Sequence, residues 1–180
     1  MARAISPAGL HLTARREPVN IVPLPIRLRR AGIVYPNWTR QAAAKWDLDL
    51  AFFCAILCME TSGGLNIYGH DPTIFVGAGP VTQANYAAYA HLRDVTGELQ
   101  GVGPCQLTAK SLQQEADLAG GCWQPEHNLA VGAHFLAQLV TEHGGNLQAA
   151  ASAYNGSGPA AEAYGVRVMA LREHFASLLT

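Results

Sequence analysis

Apolar positions recur along much of this chain at the three-or-four spacing of helices. From Thr39, a possible N-cap, "TRQAAAKWDLDLAFFCAILCME" reads as one helix. Trp46, Leu50, Phe53 and Leu57 set its stripe, and Ala51, Cys54, Ile56 and Cys58 widen it until little polar surface remains after Leu50. A segment apolar all round belongs at the centre of a fold. Gly63 and Gly64 end it, which leaves Glu60 in the last turn. Residues 65–81 are too irregular for a long helix and read as a loop with a short hairpin at "TIFVGAG". Thr82 can cap a helix through "QANYAAYAHLRDV", and a glycine-rich loop follows at 97–107. Another helix is expected from Thr108 or Ala109 to Leu118, before Gly120 and Gly121. Leu129, Ala133, Leu136 and Val140 share one face of a helix over 126–142, between Pro125 and the Gly144–Gly145 pair. Asn146 can cap "LQAAASAY", which breaks at "NGSGP". Residues 160–179 close the chain in one or two helices with Val168, Leu171, Phe175 and Leu178 as core. The pattern predicts six to eight helices and at most a small sheet.

Length changes this picture little: 180 residues, 49% of them hydrophobic, bury one ordinary core. Proline does change it, because residues 1–37 are punctuated by it and read as an irregular arm before a domain at 38–180. Charge sharpens the division. Residues 1–40 carry seven arginines against Glu17, a net of +6, whereas the remainder has five bases and twelve acids, a net of -7. The arm is either a wall-packed extension or one drawn to an anionic surface. With 14% charged residues and a net charge of -1, no global basic field points to nucleic acid. The apolar run before Glu60 is interrupted by Asp47 and Asp49 and falls short of the roughly 20 residues of a membrane span. Pro7, Pro18, Pro23 and Pro25 break any secretory apolar core, so the chain is expected to be made in the cytoplasm without a signal peptide.

Candidate chemistry is then narrowed by exclusion. Cys54 and Cys58 suit buried free thiols, while Cys105 and Cys122, in or near loops, are either free or bridged to each other. The histidines at 11, 70, 91, 127, 134, 143 and 174 are dispersed with no pair four apart beside a Glu, so no metal and no cofactor are expected. The glycine loop follows no strand and lacks the Lys-Ser/Thr ending of a nucleotide cradle. What stands out is Glu60. A carboxylate closing an apolar helix loses hydration as its neighbours pack, which raises its pKa toward that of a general acid; otherwise it is a solvated helix-end residue.

Four segments settle the comparison by their order: "METSGG" at 59–64, "YGHD" at 68–71, "GVGPCQLT" at 101–108 and "SAYNGSGPAAEAYG" at 152–165. Together, over roughly residues 45–175, they resemble the superfamily of soluble lytic transglycosylases and goose-type lysozymes, most closely the lysozyme-like modules in lysins of phages that infect actinobacteria. The resemblance implies a mainly α, lysozyme-like domain and a glycosidase acting on the bond between N-acetylmuramic acid and N-acetylglucosamine in peptidoglycan. It makes Glu60 the acid that protonates the glycosidic oxygen. Gln106 would belong to the loop lining the sugar groove, where Pro104 and Cys105 replace the usual Leu-Met. Tyr154 would approach the catalytic carboxyl, Asn155 would help hold the sugar, and Tyr164 would be a further groove aromatic. Asp71 stands where goose-type lysozymes carry an aspartate that positions water; equally, preceding Pro72, it suits a turn. An inverting hydrolase needs a second carboxylate at about 6.5–9.5 Å from the acid. A lytic transglycosylase needs none, since the muramic acid 6-hydroxyl attacks its own anomeric carbon. The expected partner is the glycan strand, the expected state a monomer, and the expected setting the host wall after release. The competing expectation is a wall-binding or virion structural module with this fold and no turnover.

Overall fold

Seven consecutive residues of one helix, Ala51 to Leu57, are buried, and the other elements are arranged around them. The computed structural model describes residues 22–69 and 79–179. Eight helices account for most of these: α1 (Leu24–Arg30), α2 (Pro36–Lys45), α3 (Leu50–Thr61), α4 (Gln83–Thr96), α5 (Lys110–Ala119), α6 (Pro125–Glu142), α7 (Leu147–Asn155) and α8 (Pro159–Leu179). The buried stretch belongs to α3, which packs along α8 and α2; α6 packs on α2, α5 and α7, and α7 lies on α8. The mainly helical architecture expected from the periodicity is the one found. Among the described residues there is no strand, only antiparallel bridges joining Ile67 to Pro80, Tyr68 to Val102 and Val102 to Leu107. The expected hairpin at 73–79 lies, except for Gly79, outside the described residues. No helix among them is long and apolar enough to cross a membrane.

Two departures have physical causes. The helix expected from Thr39 through Glu60 is two helices, because Asp47 takes φ +50° and ends the first while Asp49 caps the second, its Oδ1 accepting from the Phe52 N–H at 2.8 Å. Thr39 is therefore inside α2, where its hydroxyl donates to the Tyr35 carbonyl at 2.9 Å. Trp46, past the end of α2, is 37% exposed and shares no face with Leu50. The second departure concerns residues 24–30, which are helical where an irregular arm was expected. Prolines at the start of a helix are tolerated, since the first N–H groups have no partner within it. Leu28 and Ile33 enter the core, and Arg27 donates to the Leu179 carbonyl at 3.0 Å, satisfying an orphan acceptor at the end of α8. The turn after α1 meets the turn after α3. There Val34 N–H donates to the Gly63 carbonyl at 2.9 Å, and a Cβ on Gly63, at φ +98°, would collide with the Gly32 carbonyl. Arg172 of α8 reaches Asp49 at 2.6 Å, fastening the other end of α3.

Candidate active site

Glu60, one residue before the end of α3, presents a half-buried carboxyl at the mouth of the core. Tyr164, on α8, donates its hydroxyl to Glu60 Oε1. Burial pushes the Glu60 pKa up, and the Tyr164 bond pulls it back in part because it favours the ionised form. Among the described residues, no second carboxylate contributes to this shift. Tyr164 is itself held far above the phenol range, first by burial and then by the Glu60 charge, so it stays a donor. Its ring is 4% exposed. Gly165, beside it, lets α8 close on α7: a Cβ there would meet the Ser152 hydroxyl and stand 2.7 Å from the Gln148 carbonyl. A carboxyl whose proton affinity is raised by burial, with one oxygen fixed, can deliver a proton to a bound acceptor.

Facing it is the loop 100–107, whose backbone carbonyls can be accounted for one by one. Gln100 O accepts from Gln113 Nε2 at 2.9 Å and Gly101 O from the Gly69 N–H at 2.8 Å. Val102 O accepts from Asn128 Nδ2 at 2.8 Å, and Gly103 O from Gln106 Nε2 at 2.9 Å. Pro104 O accepts from the Thr61 hydroxyl at 2.8 Å and Cys105 O from the Tyr154 hydroxyl at 2.6 Å. Gln106 O accepts from Thr108 and Leu107 O from Gln113. Asn128 also accepts the Cys105 N–H at 2.9 Å, and this tight approach excludes a side chain on Gly103 (φ +72°), whose Cβ would stand 2.6 Å from the amide. Five helices therefore hold the loop: α3 through Thr61, α4 through Tyr89, whose hydroxyl accepts the Gln100 N–H at 3.0 Å, α5 through Gln113, α6 through Asn128 and α7 through Tyr154. Gln113 is steadied in turn by Tyr89 and by buried Arg93, whose guanidinium meets Asp94 at 3.1 Å and Asp117 at 3.6 Å.

The residues singled out in the sequence separate as follows. Glu60 and Tyr164 are joined directly. Tyr154, its ring 5.6 Å from that of Phe135, donates to the Cys105 carbonyl rather than to Glu60. Gln106, at φ +47°, turns its amide inward to the Ile67 and Gly103 carbonyls and with Tyr154 lines a cavity of about 220 Å3. Asn155 ends α7, exposed. Asp71 lies outside the described residues. A cavity of about 510 Å3 between α7 and α8 includes none of Glu60, Gln106, Tyr154 and Tyr164, so volume alone does not mark the site. All four cysteines are free, and the Asn128 amide, bonded to the Cys105 N–H, is 3.5 Å from the Cys122 sulfur. Among the described residues no three of His, Cys, Asp and Glu gather as a metal-binding group. Asn128, Gln113 and Thr61 were not singled out. Their one signal is a polar residue on a stripe that otherwise faces the core, as Gln113 lies one turn before buried Ala116.

Compared with known families, residues 82–168 match the transglycosylase SLT domain. The match takes in the loop and α4 to α7 with half of α8, Tyr154 and Tyr164 included, and begins after Glu60. No curated protein and no solved structure matches the chain.

Proposed function

We propose that this chain, whose residues 82–168 match the transglycosylase SLT domain, is a lysozyme-like, peptidoglycan-acting lytic transglycosylase with Glu60 as its general acid. The bond cleaved is the β-1,4 link from N-acetylmuramic acid to N-acetylglucosamine. The observation that carries the assignment is the Glu60 carboxyl, raised in pKa by burial and bonded by Tyr164 at the end of an apolar helix. Glu60 gives its proton to the glycosidic oxygen as the bond to the anomeric carbon breaks, and N-acetylglucosamine departs with that proton. The 6-hydroxyl of the same muramic acid then bonds to the anomeric carbon, and its proton returns to the Glu60 carboxylate. No water is consumed and the acid is regenerated. Gln106 shapes the glycan-facing loop, Tyr154 fixes it through the Cys105 carbonyl, and Asn155, exposed beside it, contacts the sugar.

Hydrolysis is the second reading, with Asp71 as the group that positions water; its support is its place in the sequence, eleven residues after Glu60. The order of the four motifs supports a lysin of a phage infecting actinobacteria, reaching the host wall after release and acting as a monomer. In a peptidoglycan gel the wild type should clear, and Glu60→Gln should lower the rate by about 10²–10⁴-fold, the usual contribution of a positioned acid. Clearing by the variant equal to wild type removes Glu60 from the chemistry. Binding to walls with no clearing by either protein favours the structural-module alternative.

A further inference from the structure

Outside the matched domain, the turn between α1 and α2 encloses a cavity of about 340 Å3 lined by Arg29, Val34, Tyr35, Pro36, Asn37 and Trp38. Its aromatic wall is ordered, with the Tyr35 and Trp38 rings 5.4 Å apart and tilted by 34°. Its position is fixed relative to Glu60, because Val34 donates its N–H to Gly63, three residues after the carboxylate, so the two backbones lie within about 14 Å. Its charge is uncommitted. Arg27 serves the end of α8, and Arg93 and Arg172 have carboxylates, but among the described residues Arg29, Arg30 and Arg40 have none within ion-pair distance. An open cavity that combines an unpaired guanidinium, an amide and two aromatic rings suits a peptide carrying a carboxylate.

We propose that this cavity is a subsite for the acidic peptide stem of peptidoglycan, with Arg29 taking a stem carboxylate and the Tyr35–Trp38 pair the adjoining apolar atoms. The inference rests on the glycosidase reading. The stem hangs from the same muramic acid whose bond is cut, so a site for it must lie within one peptide's reach of Glu60. Arg29 is exposed, and its replacement leaves the core untouched.

The test compares kcat/KM on glycan strands bearing stems with that on strands stripped of them by an amidase, for wild type, Arg29→Ala and Arg29→Lys, with circular dichroism confirming the fold of each. Wild type should prefer stem-bearing strands by about tenfold, the worth of one charge-assisted contact. Arg29→Ala should bring that ratio close to unity, and Arg29→Lys should keep part of it. A wild-type ratio of one, or a ratio unchanged in Arg29→Ala, overturns the subsite. An unchanged ratio with weaker binding to whole walls assigns the arginines to another anionic wall polymer and overturns it equally. Cleavage of neither strand by wild type defeats the glycosidase reading instead, so the two failures are told apart.

Discussion

Glu60 is poised between two influences whose signs are opposed: burial favours its neutral form and the Tyr164 hydroxyl its ion, with burial the larger. Removing the hydroxyl should therefore move the proton affinity further up. In Tyr164→Phe the alkaline limb of the kcat/KM profile should shift to higher pH, while kcat falls by about tenfold from lost positioning, consistent with a hydrogen bond to a charged group worth about 1.5–3 kcal/mol. A limb that stays in place would mean that the bond does not bear on the titrating group. The same raised pKa makes a stability prediction. A carboxyl that binds its proton more tightly folded than unfolded contributes stability that is complete below its unfolded pKa and is lost as pH rises through the folded one. Glu60→Gln should thus melt higher than wild type at neutral pH and alike in acid, as scanning calorimetry at the two pH values will show. Glu60 was legible as a candidate because a lone acid interrupts an apolar run. That Tyr164, 104 residues later, would be its donor was not, since sequence order carries no distance between α3 and α8.

Among the elements, the loop 100–107 is the part of the site whose shape depends most on others. Its ends are both tied to Gln113 and its middle to Asn128, so the loop's geometry depends on α5 and α6 as well as on its own Gly103. Asn128→Ala leaves the buried Cys105 N–H without its acceptor, while the Val102 carbonyl keeps the Leu107 N–H at 3.0 Å. The urea midpoint should fall by the equivalent of about 1–3 kcal/mol, and kcat/KM should fall with it. Unchanged stability would mean that the loop rearranges freely. Periodicity located α4 to α8 to within a residue or two because their caps and breakers are local: Thr82 and Asn146 both cap where expected. It ran α2 and α3 together because good helix formers surround "WDLD", and only the left-handed Asp47 and the cap at Asp49 divide them.

At the scale of the whole molecule, α1 and the turn after it close the fold at both the Glu60 end of α3 and the C-terminal end of α8. Leu28→Ala should cost about 2–5 kcal/mol, as for a fully buried leucine elsewhere, and would be nearly neutral if this segment were a detached arm. Proline density concealed this, since prolines that break a helix interior are harmless in its first turn. The basic start of the chain is now divided by chemistry: Arg27 is structural, and Arg29 faces a cavity. The central claim, that one carboxyl gives its proton to the departing N-acetylglucosamine and recovers one from the muramic acid 6-hydroxyl without water, is tested most directly by mass spectrometry of purified peptidoglycan digested with wild type and with Glu60→Gln. The account predicts 1,6-anhydro-muramic ends, one water lighter than reducing ends, from the wild type, and the same ends formed about 10²–10⁴-fold more slowly by the variant. Reducing ends from the wild type, or anhydro ends formed by the variant at the wild-type rate, would contradict it.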